Sequence, residues 1–192
     1  MSGATLDWAA LAAKRDAYIE RLNGIYSRNL DGAGIERVVG VASFTGPREV
    51  VAAGRTLTAD HVLIAVGGSP STLPIPGAEL TISSDGFFDL RSQPRKALVV
   101  GAGYIAVEIA GILNAMGTET LLSCRGGGVL RRGFDPMVQR ILNDELRRTG
   151  VGMKVETELT QVRRMPSGSL EATLSDGDVI DGLDCVLVAI GR

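Results

Sequence analysis

Glycines at positions 101 and 103 and an alanine at 106 occur at the spacing G-x-G-x-x-A. The apolar run before them predicts a strand, and the pattern after them predicts a helix. In such a turn Gly101 permits the tight bend, Gly103 lets the backbone approach a pyrophosphate, and Ala106 keeps the helix close to the strand. The start of the helix adds free N–H groups and a positive dipole end. The motif therefore predicts a dinucleotide site, and the alternative is an ordinary tight turn.

Two arginines follow the next predicted strand and bear on which dinucleotide binds. Sites for NAD usually place Asp or Glu at the end of this strand, for the ribose 2′-hydroxyl. This chain has Ser123-Cys124-Arg125 there, then glycines at 126–128, and then Arg131. Guanidinium groups bind phosphate through paired hydrogen bonds, so two arginines around a flexible loop suit a 2′-phosphate. The sequence favours NADPH over NADH, and the alternative is a solvated basic loop.

Tyr104 and Glu108 lie within the glycine motif and the helix that follows it. Tyr104 at the start of the helix is compatible with simple packing. Glu108 follows two apolar residues on a helix that should pack on a sheet, where a carboxylate needs a partner. No lysine nearby in the sequence supplies that partner.

The elements that position these residues alternate between strands and helices from Lys96 onward, which predicts a parallel sheet and an α/β fold. The last run, Cys185–Arg192, begins apolar on both faces, as is typical of a central parallel strand. The predicted strands are 96–100, 120–124, 153–156, 160–164, 170–174 and the final run, and the predicted helices are 106–116 and 136–148.

The first third of the chain has a different pattern. Residues 6–29 predict a helix, and short apolar runs at 38–44, 49–53 and 56–58 predict a small antiparallel meander. The run "HVLIAV", His61–Val66, predicts a buried strand, and the Pro/Ser-rich stretch 69–79 predicts a linker. Because this region contains no complete βαβ unit, we expect it to be part of a domain.

Composition bounds the classes of partner. The 192 residues carry a net charge of −2 without a Lys/Arg run, and no apolar run is long enough for a membrane span, so we expect neither nucleic acid nor a membrane as partner. The N-terminus has no apolar signal-peptide core. Cys124 and Cys185 lie far apart and His61 is the only histidine, so we expect no metal site, two buried thiols and a cytoplasmic location.

Several motifs together resemble the glutathione reductases, a class I branch of the pyridine nucleotide-disulfide oxidoreductase family. They cover nearly the whole chain: "KRDAYIERLNGIYSRNL", "GPREV…HVLIAVGG", "SDGFFDL", "VVGAGYIAVEIAGIL", "VLRRGFD" and "DCVLVAIGR". Dihydrolipoamide dehydrogenases of this family carry an acidic residue where Cys124-Arg125 stand. The resemblance implies a Rossmann-like fold with an incomplete FAD-binding domain at 1–72 and a complete NADPH-binding domain at 73–192.

The resemblance also implies roles for single residues. Arg125 and Arg131 would hold the 2′-phosphate of NADPH, and Tyr104 would lie over the flavin and swing away when the nicotinamide enters. Glu108 would pair with a lysine on the flavin side, and Tyr26 would line the glutathione disulfide site. The residues expected on the nicotinamide or pyrophosphate side of NADPH are Ala102, Ile105, Glu108 and Gly191, and those expected near FAD are Ala42, Gly67, Ser84 and Arg192.

The chain departs from the family pattern at both ends. It contains no N-terminal FAD glycine motif and no redox-active Cys-x4-Cys, and His61 does not replace the catalytic histidine of the family's dimerisation domain. We expect a segment of an NADPH- and FAD-dependent glutathione-disulfide reductase that is inactive alone and belongs to a homodimer when full length. The alternatives are a free-standing, non-catalytic NADPH-binding module and a reductase of another small disulfide, such as trypanothione.

Overall fold

The computed structural model describes residues 6–192, which divide into two compact units. Residues 10–67 form the small unit, and residues 68–192 with residues 6–9 form the large unit. The division falls after Gly67, just before the Pro/Ser-rich stretch 69–79 that predicts a linker. The assignment of residues 1–72 to FAD and 73–192 to NADPH stays a prediction.

The small unit contains most of helix α1, Trp8–Gly32, and a three-stranded antiparallel sheet. The strands are β1, Ala42–Gly46, β2, Glu49–Ala52, and β3, Arg55–Thr58, in the order β1-β2-β3. Ala53 and Gly54 both have positive φ angles, 48° and 74°, which closes the tight turn between β2 and β3. The predicted meander is confirmed.

The prediction of a buried strand at His61–Val66 is wrong. This run has no regular secondary structure, and the side chains of Leu63 and Val66 are 90% and 89% exposed. A strand forms only where a neighbour accepts and donates its backbone hydrogen bonds. Within residues 6–192, no strand pairs with this run, so its apolar pattern alone does not make it a strand.

Among the described residues 6–9 and 68–192, the large unit contains two sheets and the three helices α2, α3 and α4. A four-stranded parallel sheet has the order β10-β4-β5-β6, and a three-stranded antiparallel sheet has the order β7-β8-β9. The α/β fold with a parallel sheet is thus confirmed. The elements in chain order are a 3-10 turn at Ala78–Leu80, α2 Ser84–Asp89, β4 Lys96–Val100, α3 Tyr104–Ala115, β5 Glu119–Cys124, α4 Pro136–Thr149, β6 Gly152–Val155, β7 Leu159–Arg164, β8 Leu170–Leu174, β9 Val179–Leu183 and β10 Cys185–Val188.

Strand β4 is buried on both faces because it lies between two layers. Successive side chains of a strand point to opposite faces. Ala97 and Val99 pack with the helix-side core, whereas Leu98 and Val100 pack with the core under the antiparallel sheet. All four are at most 6% exposed, so this strand provides a rigid base for the loop that follows it.

Strand β10 does not have the central position that its apolar pattern predicted. It ends the order β10-β4-β5-β6, and Ile82 bridges to its outer edge through bonds from Ile82 N to Val186 O (2.9 Å) and from Val188 N to Ile82 O (2.8 Å). Leu187 and Val186 still face the two separate cores. Apolar residues on both faces therefore indicate that a layer covers each face of the strand, whether the strand is central or at the edge of the sheet.

The register of the parallel sheet aligns the carboxyl ends of three strands. Val100 of β4 pairs with Ser123 of β5, and Cys124 of β5 pairs with Val155 of β6. The chain segments that follow these ends begin at Gly101, Arg125 and Glu156 and therefore leave the sheet at one edge. This is the edge at which open α/β sheets bind their ligands.

Candidate functional site

The loop between β4 and α3 depends on a glycine at position 101. Gly101 has φ 145°, and a Cβ atom there would lie 2.2 Å from the carbonyl oxygen of Ala189. Its N–H donates to the carbonyl oxygen of Ser123 at 2.9 Å, which ties the loop to the end of β5. The predicted role of Gly101 in the tight turn agrees with this geometry. The close approach of Ala189 O to Gly101 also places the segment before Gly191 beside residues 101–103, here called the glycine loop.

Gly103 leaves open space in front of the first turn of α3. It is the N-cap of this helix and has no side chain to accept from the first N–H groups. No atom lies within 4 Å of the position that its Cβ would take. Helix N-termini present N–H groups without intrahelical partners and a positive dipole end. The open space and these donors suit a pyrophosphate, as the motif predicts, with Ala102 and Ile105 on either side of Gly103.

The segment 125–131, here called the arginine loop, is attached to the glycine loop. Leu130 donates from its backbone N–H to the carbonyl oxygen of Ala102 at 2.7 Å. Val129 donates to Oδ1 of Asn143 in α4 at 3.1 Å. Val129 and Leu130 are 0% and 8% exposed, so the loop is anchored in the core. The structure thus brings the two predicted phosphate-binding segments together.

The two predicted arginines lie at either end of this loop. The guanidinium of Arg131 packs over Gly126, where a Cβ would lie 2.3 Å from its Nη1. Arg125, the neighbour of Gly126, has a side chain that is 78% exposed and forms an ion pair with Glu158 at 3.8 Å. Such exposed pairs contribute little. Both guanidinium groups therefore remain available to an anionic ligand at the carboxyl end of β5.

A cleft of about 360 Å³ borders the arginine loop. Arg140 and Asn143 of α4 line it and were not predicted from the sequence. The cleft combines two arginines with one carboxylate and suits a polar, anionic ligand. Its lining residues are Gly127, Gly128, Arg131, Pro136, Gln139, Arg140, Asn143 and Glu156.

Tyr104 and Glu108 occupy one exposed face of α3, four residues apart. The Tyr104 side chain is 61% exposed. The expectation that Glu108 requires a partner because its helix packs on the sheet is wrong, since this residue lies on the solvent side of the helix. Its predicted pairing with a lysine on the flavin side stays a prediction.

The residues predicted near FAD and glutathione disulfide are divided between the two units. In the large unit, the Arg192 side chain contacts Asp85 at 3.5 Å and donates to the carbonyl oxygen of Gly68 at 3.1 Å, which places Arg192 beside Ser84. Ala42, Gly67 and Tyr26 belong to the small unit. There Ala42 begins β1, Gly67 has φ 71° and the Tyr26 side chain is 59% exposed.

The two cysteines are buried free thiols, as predicted. Burial raises the pKa of Cys124. Burial, with a smaller contribution from Asp184, raises the pKa of Cys185 to about 11. Both thiols are therefore protonated at neutral pH and are poor nucleophiles.

Between Leu6 and Arg192, no group of three or more His, Cys, Asp or Glu side chains is placed to hold a metal ion. In that same range, none of the helices combines the length and the apolar character that crossing a bilayer requires.

Comparison with known proteins adds the family. Residues 2–192 match the family described as "Pyridine nucleotide-disulphide oxidoreductase". The chain is 43% identical to a glutathione reductase of Schizosaccharomyces pombe, with 98% of this chain and 42% of that protein covered. It is 39% identical to a glutathione reductase of Burkholderia cepacia, with 96% of this chain and 40% of that protein covered. The chain spans about two fifths of the length of these relatives.

Proposed function

Because the chain belongs to the pyridine nucleotide-disulphide oxidoreductase family, we propose that its large unit is the NADPH-binding part of a glutathione-disulfide reductase. The observation that carries this proposal is the bond from Leu130 N to Ala102 O at 2.7 Å, which joins a pyrophosphate-type glycine loop to a loop bounded by two arginines. The names of the two relatives support the choice of glutathione disulfide as the substrate of the whole protein.

Different residues of the site would bind different parts of NADPH. The N–H groups at the start of α3 would bind the pyrophosphate across the open space at Gly103. Arg125 and Arg131 would bind the 2′-phosphate, which NADH lacks. When bound, NADPH would supply a hydride to FAD, the reduced flavin would reduce a redox disulfide to a dithiol, and that dithiol would reduce glutathione disulfide to two glutathione thiols.

The roles that we propose for residues near the flavin are those that the family resemblance implies. Tyr104 would shield the flavin until the nicotinamide enters, and its exposure on α3 leaves it free to move. Glu108, on the same face, would orient a flavin-side lysine. Ala42, Gly67, Ser84 and Arg192 would contact FAD, Gly191 would contact NADPH, and Tyr26 would line the glutathione disulfide site.

Cys124 and Cys185 do not supply the redox disulfide. They lie on β5 and β10, which β4 separates in the sheet. The register pairs Cys185 with Ala97, near the opposite end of the sheet from Cys124. The two residues are about 10 Å apart across the strands and about 13 Å apart along them, which no disulfide can bridge. The dithiol step therefore requires cysteines outside this chain, in a protein that we propose to be a cytoplasmic homodimer.

The proposal is tested by calorimetric titration of the chain with NADPH and, in parallel, with NADH. Each charge-assisted bond to the 2′-phosphate contributes about 1.5–3 kcal/mol, so NADPH should bind at least about tenfold more tightly. Arg125→Ala should remove most of this margin. Arg132→Ala removes the same charge from a residue just outside the arginine loop and should keep this margin. Equal affinity for both cofactors in the unmodified chain would refute the NADPH assignment.

The substrate is tested in the protein that contains this segment. Oxidation of NADPH should be fast with glutathione disulfide and slow with trypanothione disulfide. The reverse order would replace glutathione by another small disulfide and leave the NADPH site unchanged.

A further inference from the structure

The third glycine of the arginine loop, Gly128, packs against the side-chain amide of Asn143 in α4. A Cβ atom at Gly128 would lie 2.6 Å from Oδ1 of Asn143, 2.7 Å from its Nδ2 and 2.9 Å from its Cγ. The φ angle of Gly128 is not positive, so its backbone conformation is open to other residues. The need for glycine here is thus the close approach of Asn143.

Both polar atoms of this amide are used. Oδ1 of Asn143 accepts from the backbone N–H of Val129 at 3.1 Å. Nδ2 donates to the carbonyl oxygen of Gln139, one turn earlier in α4, at 2.7 Å. The second bond fixes the orientation of the amide, and the first attaches the arginine loop to the helix. The half-buried side chain of Asn143 therefore links α4 to the arginine loop.

The carbonyl oxygen of Gly126 accepts from the backbone N–H of Glu156 at 3.0 Å, and two further attachments lie at the adjacent residues Val129 and Leu130. Leu130 N binds Ala102 O and so connects the loop to the pyrophosphate segment. Val129 N binds Asn143 and so fixes the stretch that lies between Gly126, on which the Arg131 guanidinium rests, and Arg131 itself. Loss of the Asn143 bond alone would loosen this stretch beside Arg131 and leave the attachments at Gly126 and Leu130 in place.

We propose that Asn143 is a positioning residue for recognition of the 2′-phosphate of NADPH. This inference rests on the proposed function, since it assumes that the arginine loop binds that phosphate. Asn143 acts through the backbone of Val129 and the placement of Arg131. Because NADH has no 2′-phosphate, a looser arginine loop weakens the binding of NADPH and leaves that of NADH nearly unchanged.

The test is a titration of the full chain and four variants with NADPH and with NADH. Asn143→Ala should weaken NADPH binding about fivefold, the value of one lost hydrogen bond, and change NADH binding by less than about twofold. Gly128→Ala should have the same effect, because its Cβ displaces the amide from Val129. Asn114→Ala is the matched control: Asn114 donates to Thr149 O at 2.9 Å, at the other end of α4, and the ratio of NADPH to NADH affinity should not change.

The double variant Gly128→Ala/Asn143→Ala makes the test specific. If the two residues act through one contact, the double variant should bind NADPH no more weakly than Asn143→Ala alone, since the new Cβ then meets no amide. Additive losses, equal losses for both cofactors, or an unchanged ratio in Asn143→Ala would overturn the inference. So would failure of both single variants to fold, because the contact would then serve stability. If the unmodified chain shows no preference for NADPH, the proposed function itself fails.

Discussion

The small and large units contain similar apolar runs, but the run in the large unit is a buried strand and the run in the small unit is exposed. In the large unit Leu98 of β4 is fully buried, because β5 and β10 flank its strand and two layers cover it. In the small unit Leu63 belongs to an equally apolar run but is 90% exposed. The difference shows that an apolar pattern makes a strand possible, whereas the presence of neighbouring strands decides whether the strand forms.

The same difference bears on function. The segments predicted to bind NADPH follow strands of the parallel sheet, and backbone bonds from Gly101 and Leu130 hold them in place. The predicted FAD contacts Ala42 and Gly67 lie in the small unit, at the start of a strand and in a segment without regular structure. We therefore expect the large unit to bind its ligand with little rearrangement.

Truncation of one leucine in each unit should give the largest contrast. Leu98→Ala should lower the free energy of unfolding of the large unit by about 2–5 kcal/mol, because it leaves a cavity in a closed core. Leu63→Ala should change the stability by less than about 0.5 kcal/mol, because the side chain is already in water. Urea unfolding of the two variants measures both values, and similar losses would show that Leu63 is buried in solution.

Within the large unit, the two glycines of the motif should separate stability from binding. Gly101→Ala should cost about 2–4 kcal/mol, because its Cβ overlaps Ala189 O and its φ is unfavourable for alanine. Gly103→Ala should leave thermal unfolding nearly unchanged, since its Cβ enters open space. It should nevertheless weaken NADPH and NADH alike, since the same Cβ occupies the position proposed for the pyrophosphate. A normal affinity for both cofactors would move the pyrophosphate elsewhere.

Alkaline pH should destabilise the large unit more than the small one, which contains no cysteine. The pKa of Cys185 in the folded chain, about 11, lies above the ordinary thiol pKa of 9.0 because the side chain is buried. The buried thiol therefore contributes stability that is complete below pH 9 and is lost as the pH rises toward 11. The loss amounts to about 2–3 kcal/mol. Unfolding of Cys185→Ala at pH 8 and pH 10.5 should show a smaller loss than the unmodified chain, and an equal loss would assign it to other groups.

Neutralising one carboxylate in each unit should give the smallest effects. Glu158→Gln breaks the exposed pair with Arg125 and should cost less than about 1 kcal/mol of stability. It should also tighten NADPH binding up to about threefold, because Arg125 then has no competing anion. Glu36→Gln breaks the pair with Arg55 in the small unit, where the two atoms are 2.7 Å apart, and should leave NADPH binding unchanged. Weaker NADPH binding in Glu158→Gln would mean that Glu158 helps to position Arg125.

The sequence predicted those parts of the fold in which local pattern and tertiary neighbours agree. The apolar run before Gly101 and the helical pattern at 136–148 carry their own signals, and these elements were confirmed. Strand β9, "VIDGL", was missed because two of its five residues, Asp181 and Gly182, have a polar side chain or none. The run His61–Val66 was misread because its pattern says nothing about the availability of partner strands.

The candidate site was predictable where a residue type is required by its own backbone or charge, as at Gly101 and Arg125. It was not predictable where the role depends on an approach between distant segments. Asn143 is polar on an amphipathic helix, and its contact with Gly128 arises only when α4 packs beside the arginine loop. The exposure of Glu108 likewise depends on how α3 is rotated on the sheet.

The central claim is that the glycine loop and the arginine loop form one site that distinguishes a 2′-phosphate. The most direct measurement is a titration of the chain with adenosine 2′,5′-bisphosphate and with adenosine 5′-phosphate at low and high salt. The bisphosphate should bind at least about tenfold more tightly at low salt, because two guanidinium groups meet the extra phosphate. The margin should narrow at high salt and nearly vanish in Arg131→Ala. Equal binding of the two nucleotides at low salt would refute the proposal that the two loops form one site for a 2′-phosphate.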